Sequence, residues 1–586
     1  MKKRAKSQSD DDPALRRCCR KYSLLPPAAV PPNTLCSRRG NSYISGNPKL
    51  TRIAMRWTIT LLLFAVCYSC NSPQPVTQEV TLGKLQHQFP ISEAARTAFD
   101  KGLLLLHSFE YDDAREEFQQ ALAADDGELM AYWGEAMTYY KALWKLQDVD
   151  AGREVINKLG TSKKARLAKA DNELERDFWT GVELLYGEGE LMERNKAYAE
   201  HMAKLYQKYP GNQEVAAFYA LGLMWSVPLG RDAEVFDKSA QVAAGILREN
   251  PNHPGALHYM IHAYDDPEYA QLAIDAANLY SKIAPDATHA LHMPSHIYLA
   301  LGMWSEVVAS NEASYQASVN RLNRKGLGDE SRGYHSYSWL HYGYLQQQRT
   351  GDAHRLLKDM VNYTRKTPTI QARGYWISMQ NAYLTDAHEW SKDIEPLVVT
   401  RSDLGLISQA GHRFFQGRMA FLDGDQEKIT LEMDSLSHEI AAAELLVTSD
   451  GITLCSAGTT RYAPNKTDID RSRVMWHQLS AYNAMLAKDV EAVENALIAA
   501  TSLEAATGYS FGPPDIPYPS FEQYGYWLLE HSRSQEALDQ FNASLERMPR
   551  RTNALRGKLQ ALEVLGLQAE AGEVNKTLES IVLVNS

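Results

Sequence analysis

The chain has 586 residues, 44% of them hydrophobic and 23% charged, with a formal net charge of -11. This is the composition of an ordinary folded protein, and the length exceeds what one compact core needs. Residues 1–69 hold 13 Lys and Arg against 3 Asp and Glu, whereas the remainder holds 48 against 69; a body that acidic repels phosphate backbones and anionic lipid surfaces, which removes nucleic acid from the candidate partners.

Residues 1–54 are polar, basic and proline-rich, and read as a disordered leader or a start site assigned too early. Met55 opens a second start, MRWTITLLLFAVCYSC, in which Arg56 precedes the apolar run Trp57 to Val66. The run is too short to span a bilayer and suits a secretory segment. Residues 55–70 resemble a bacterial lipoprotein signal with Cys70 as the lipidated first residue after cleavage, although Cys67 and Tyr68 depart from the usual box. The resemblance implies a lipid anchor in the membrane of a bacterial cell envelope. Five of the six cysteines lie in the first 70 residues and only Cys455 follows, so the body has neither an internal disulfide nor a cysteine-rich metal site. Residues 71–90 read as a tether between anchor and domain.

From residue 91 the pattern is helical, with no sustained period-2 alternation. In AARTAFDKGLLLLHSFEYDDAREEFQQALAADD, the residues Gly102, Tyr111, Ala114, Phe118 and Ala121 repeat a helix–turn–helix spacing. Trp133 and Gly134 follow in MAYWGEAM; Gly302, Trp304 and Asn311 mark one repeat, Tyr344 and Ala353 the next, and Gly525, Ala537, Phe541 and Pro549 a late one. This gives an N-terminal array over 91–320, middle repeats over 334–445, a loop at 446–470 and C-terminal repeats over 471–583. Three interruptions, 321–333, 446–470 and 507–520, are rich in Gly, Pro, Ser or Asp and read as insertions on the outer face.

The chemistry-bearing feature lies inside the first array. His258 and His262 recur 34 residues later as His292 and His296, each pair four apart on one helix face. His289 stands near the second pair, and His335 begins the following helix. All 17 histidines lie in the body and six fall between 253 and 296. Neighbouring helices pack roughly 8–10 Å apart, so three or four imidazoles converge on one point if both pairs face inward. Neutral imidazole suits Zn, Cu, Ni or Fe, and three histidines with an open position are a catalytic geometry. Glu135 is a candidate carboxylate ligand. Tyr259 and Met293 occupy the place of the Glu in HExxH, which argues against a zincin. The other reading is a polar groove without metal, in which the histidines bond to one another, to Tyr259, Tyr298 and Tyr334, or to a bound peptide.

The spacing resembles that of tetratricopeptide-repeat proteins and, more narrowly, a group of bacterial repeat proteins carrying HPGALHYMIHA (253–263), APDATHALHMPSHIYLALG (284–302), MAYWGEAM and a C-terminal GPP…SLERMPRR. The resemblance covers nearly all of 91–560. It implies an all-α superhelical solenoid of the tetratricopeptide-repeat class. In that group the segment after Trp133–Gly134 often carries its own histidine; here it reads YKALW (140–144). The expected function is a binding scaffold that takes a protein, peptide or small ligand in its concave groove and is not an enzyme. The alternative is a transition-metal protein or metalloenzyme centred on 258–296. Glycan capture is a third reading, weakened by the near-continuous repeats.

Gly508-Tyr509-Ser510-Phe511-Gly512 matches G-x-S-x-G, but a helical pattern precedes it and Pro513–Pro514 follow, so it reads as a chance match. Most of the 31 Tyr and 11 Trp are expected in the core, with Trp225 and Trp339 as candidates to stack on a ligand.

Overall fold

Phe118 lies sixteen residues from both Gly102 and Gly134, and Phe541 sixteen from both Gly525 and Gly557. In the computed structural model each phenyl ring fills the space between helices that only glycine leaves open. A Cβ on Gly134 would stand 2.3 Å from the Phe118 ring, and one on Gly557 2.2 Å from the Phe541 ring. The repeat signature is therefore a packing device in which small residues let helices approach and one aromatic locks three of them. The helices concerned are Glu93–His107, Tyr111–Ala124 and Leu129–Met137 at one end and Ser520–Glu530, Ser534–Arg547 and Thr552–Leu565 at the other.

The turns repeat as well. In the first repeat the N–H of Glu110 bonds to the Leu105 carbonyl, with Phe109 in the left-handed region at φ 56°. The same six-to-one bond links Met303 to Tyr298, Arg349 to Tyr344 and Arg533 to Leu528. The left-handed residue there is Gly302, Gln348 or Ser532. This is a Schellman turn, which satisfies the last helix carbonyls and reverses the chain within three residues.

The structure describes residues 81–86, 89–144, 146–388, 390–449, 451–453 and 462–582. The leader, the lipoprotein-type segment with Cys70, and Cys455 lie outside them. The fold is an all-α tetratricopeptide-type solenoid of paired helices. Sheet among the described residues is confined to Tyr140–Lys141 paired antiparallel with Leu146–Gln147, beside one isolated bridge, Val447 with Thr453. No helix among the described residues is long and apolar enough to cross a membrane.

The array curls back on itself. Lys84 donates to the Asn252 carbonyl at 2.9 Å, and the Thr81 N–H to Asp286 at 2.8 Å. Leu82 and Phe89 are buried, and the Phe89 ring packs on Phe99, Trp133 and Phe178. The tether expected over 71–90 is thus docked at its described residues 81–86 and 89–90: the first hold to later helices of the array and Phe89 fills the first repeat. At the far end Trp304 Nε1 donates to the Arg550 carbonyl at 2.9 Å. Fully buried Arg551 reaches Glu522 and Asp386, each at 2.6 Å, and the Tyr342 hydroxyl at 2.7 Å. Arg321 and Lys325 pair with Asp113 across more than 200 residues of chain. These closures turn part of the inner face of the array into an interior.

Two expected boundaries differ. Helix Trp304–Lys325 runs through the first residues of the 321–333 interruption, ending at Gly326 with φ 65°. Helix Lys466–Ala487 begins inside the 446–470 segment, where Asn465 and Asp468 form a capping box.

Candidate metal centre

His258 and His262 sit one turn apart on helix Pro254–Ala263, whose N-cap is His253. The second pair straddles a break. Helix Thr288–His292 ends and helix Pro294–Ala300 begins around Met293, because Pro294 has no N–H to continue the ladder. His289 and His292 lie before the break and His296 after it. His335 stands on helix Tyr334–Gln346.

The six imidazoles gather in two sets of three rather than on one point. His258, His262 and His289 form one; His292, His296 and His335 form the other. Within each set, one ligand atom per residue lies within 4.8 Å of every other. Each histidine pair thus borrows its third member from a later helix of the array. The 34-residue offset predicts equivalent pairs, but the first pair shares one helix, the second straddles two, and they serve different sets.

The tautomers of His258, His292 and His296 follow from what their Nδ1 atoms touch. His258 Nδ1 donates to the His107 carbonyl at 2.7 Å, which leaves Nε2 as a bare lone pair. His296 Nδ1 donates to Asp265 Oδ2 at 2.6 Å. His292 Nδ1 meets Asn311 Oδ1 at 2.7 Å. The Asn311 amide nitrogen is committed to the Val307 carbonyl and the Ser295 hydroxyl to the His292 carbonyl, so Nδ1 of His292 must be the donor. Both rings then present Nε2 to each other, at 3.1 Å. In the other set the Nε2 atoms of His258, His262 and His289 are buried and have no hydrogen-bond partner. Burial, reinforced by neighbouring imidazoles, holds His258, His262, His289 and His292 well below the usual histidine range, so these rings are neutral at pH 7.

A third group, His107, Glu214 and His253, is closed by hydrogen bonds. Glu214 accepts from His107 Nε2 at 2.8 Å and from His253 Nε2 at 3.3 Å. Tyr259 meets His107 Nδ1 at 2.9 Å, and His253 Nδ1 accepts from the Ala256 N–H. Burial pushes the Glu214 carboxyl up; the two imidazoles outweigh that and hold it down at about 2. This triad fixes His107, whose carbonyl orients His258. On the other side the His289 N–H donates to Glu110 at 2.8 Å.

Glu135 is not part of the cluster. Its carboxylate accepts from Gln119 at 2.9 Å and pairs with Lys158 at 3.5 Å, committed to its own repeat. None of the tyrosines expected to bond the histidines makes a hydrogen bond to the two sets of three. Tyr259 serves His107, Tyr298 donates to Asn278, and the Tyr334 hydroxyl has no partner.

His258 is 0% exposed, His292 2% and His296 7%, whereas His262, His289 and His335 are half-buried. The Trp339 ring meets His292 edge to face at 4.8 Å and lies tilted at 4.5 Å from His296. Trp225 packs on Tyr140 and Tyr198 in the core, away from any ligand. The YKALW segment brings Trp144 to 5.9 Å from His289.

Beside the centre is a cavity of about 640 Å³, whose wall includes Trp144, His335, Trp339, Tyr375, Arg471 and Phe511. That volume suits a small organic ligand. Ile452, Thr453 and Asn465 from the 446–470 segment also line it, as do residues 508–513. Two of the three interruptions therefore cover the cluster rather than decorating the outer face. The G-x-S-x-G match is part of this wall; helix Val490–Ala506 precedes it and no helix directly follows it, so the nucleophile-elbow geometry is lacking. Arg471 pairs with Asp515, and burial pushes the nearby Asp468 carboxyl up to about 6.

Asp265, Asn311, His107 and Glu214 are the site residues that pattern reading missed. Asp265 had a signal: it follows the second helical histidine by three residues in HAYDD. His107 had none, since 151 residues separate it from His258.

No family model matches the chain, and no curated protein matches it. Among solved structures it is similar to yeast Tom70, with 13% identity over 83% of this chain and 97% of that one and a TM-score of 0.29. It is also similar to the Cut9–Hcn1 hetero-tetramer of the APC/C, with 11% identity, coverages of 81% and 78% and a TM-score of 0.33. A third is the human IFIT1 dimer with m7Gppp-AAAA, with 9% identity, coverages of 85% and 91% and a TM-score of 0.31. Scores of this size carry no argument about function; the fold stands on the helix pairs and turns described above.

Proposed function

We propose that this helical-repeat scaffold is a metal-binding protein whose histidine cluster holds a transition metal at the edge of a ligand cavity. The observation that carries the reading is the 3.1 Å approach of His292 Nε2 to His296 Nε2 while both Nδ1 atoms are spent on Asn311 and Asp265. Two lone pairs repel at that distance unless a cation lies between them. A proton bridges one such pair. It does not account for the further Nε2 atoms of His258, His262 and His289, buried without a hydrogen-bond partner. Carboxylate or carbonyl acceptors on the far nitrogens are the usual support of metal-bound imidazoles.

All-nitrogen ligation by neutral imidazole suits Zn, Cu, Ni or Fe. The cavity supplies the binding surface, with Trp144, Trp339, Tyr375 and Phe511 as flat walls for a small, partly aromatic ligand. The geometry supports a reading of metal and ligand binding, and the reading extends to no bond made or broken.

Elemental analysis of protein stripped with chelator and reloaded tests the reading. At least about one equivalent of tightly held metal is expected, falling in a His292→Ala/His296→Ala variant. Less than about a tenth of an equivalent, unchanged in the variant, overturns it.

The envelope anchor at Cys70 is part of the same proposal, supported by the apolar run and the cysteine that ends it. Detergent-phase partitioning of the expressed chain, compared with Cys70→Ser, tests it; equal partitioning removes the anchor.

A further inference from the structure

Resting on the metal reading, we infer that the cluster is a two-ion centre in which each set of three histidines holds one transition-metal ion and the ions share a small bridging ligand.

The first argument is coordination number. The six imidazoles lie side by side, yet the closeness within 4.8 Å holds inside each set of three. A single tetrahedral ion takes four ligands at most, and would leave buried bare nitrogens behind. Two ions take three nitrogens each, and each keeps one position open.

The second argument is adjacency. His289 and His292 are three residues apart on one short helix, yet they serve different sets, so that helix is the partition between the sites. Across the partition the His262 and His296 rings are 5.7 Å apart, and those of His289 and His292 6.1 Å. Within the sets the spacings are the same size, 4.8 Å for His258 with His262 and 5.0 Å for His292 with His296. The open positions of two such neighbours fall within reach of one shared atom or small anion, as in other two-metal sites about 3.5–4 Å apart.

The third argument is charge. Two divalent ions on six neutral imidazoles need nearby anions. Asp265 lies against His296 and Glu214 behind His107. The Asp265 Oδ1 atom is buried without a hydrogen-bond partner. The bridging ligand, a hydroxide or a small anion, adds further negative charge and enters from the cavity past His335, the one of the six that also lines its wall.

The test uses the purified full chain, stripped of metal and reloaded with Cu(II), with copper measured by elemental analysis and unpaired spins by integrated electron paramagnetic resonance. About two coppers per chain are expected, with integrated spin below about a fifth of the copper present, because ions sharing a bridge couple antiferromagnetically. Adding azide as a competing bridge should change the optical spectrum. A His258→Ala/His262→Ala variant should keep one copper and regain one full spin.

Each outcome decides a different point. No copper overturns the metal reading itself. One copper per chain in the unaltered protein overturns the two-ion inference alone. Two coppers with two full spins and no azide response overturn the shared ligand. The unaltered protein gives all three readouts, so the inference does not depend on the variant folding.

Discussion

His258 reaches across 151 residues of sequence to donate its Nδ1 proton to the His107 carbonyl at 2.7 Å. His107 ends the first helix and His258 sits on the helix that packs over it, so the curl of the array sets the tautomer of a candidate ligand. The contact depends on close approach: a Cβ on Gly255 would lie 2.4 Å from His107 Nδ1. Gly255→Ala must displace a ring held by Glu214 and Tyr259, and the carbonyl moves with it. Metal affinity of the His258 set is expected to fall about 10–100-fold, the usual effect of losing an outer partner. Chelator-competition titration measures it, and unchanged affinity would show that the carbonyl does not orient the ligand.

The second set has its own support. Asp265 accepts from His296 Nδ1 at 2.6 Å. In Asp265→Asn the side chain keeps its size and loses its charge. Weaker binding of about 10–100-fold is expected, with helical content unchanged by circular dichroism. The two substitutions act on different sets, so each should weaken one class of sites and leave the other near its original affinity. Equal weakening of all bound metal by either one contradicts the division into two sets.

How much of this was legible in the sequence follows from the range of each interaction. The glycine–phenylalanine–glycine spacing is local, and so is the helical pairing of His258 with His262. Both are visible in the residues. His289 and His335 were identifiable as neighbours, but their assignment to separate sets depends on where Pro294 ends one helix and starts the next. The curl of the array, fixed by Arg551 with Asp386 and by the backbones of Lys84 and Asn252, depends on contacts between residues more than 150 apart. No periodicity encodes that. For the same reason Glu135, on an inward helix by register, is tied instead to Gln119 and Lys158.

His341 gives the fold an acid sensitivity. It is fully buried on helix Tyr334–Gln346, neither ring nitrogen has a hydrogen-bond partner, and burial lowers its pKa from 6.5 to about 3. The unfolded chain takes up a proton below 6.5 that the folded chain refuses until about 3. Stability is therefore full above 6.5 and declines as pH falls through that window, by about 1.4 kcal/mol per pH unit for this one group. His341→Leu removes the term. Between pH 6.5 and 5 the variant should lose about 2 kcal/mol less stability than the parent. Denaturant midpoints at the two pH values measure this, and parallel losses in both proteins would show that His341 does not stay neutral.

Gly134 and Gly572 separate packing from helix propensity. Both are helical, and alanine favours a helix over glycine by about 1 kcal/mol. At Gly572, exposed on helix Gln568–Val582, a Cβ would meet nothing within 4 Å. Gly572→Ala should stabilise by up to that amount. At Gly134 the new Cβ would stand 2.3 Å from the Phe118 ring, and a Cβ on Gly102 would already stand 3.0 Å from the same ring. The ring has nowhere to go without parting two helices. Overpacking of about 1–3 kcal/mol then outweighs the propensity gain, and Gly134→Ala should lower the thermal midpoint while Gly572→Ala raises it. Opposite signs for one chemical change are the measurable content of the repeat signature; two positive shifts would mean that Phe118 is not locked between its glycines.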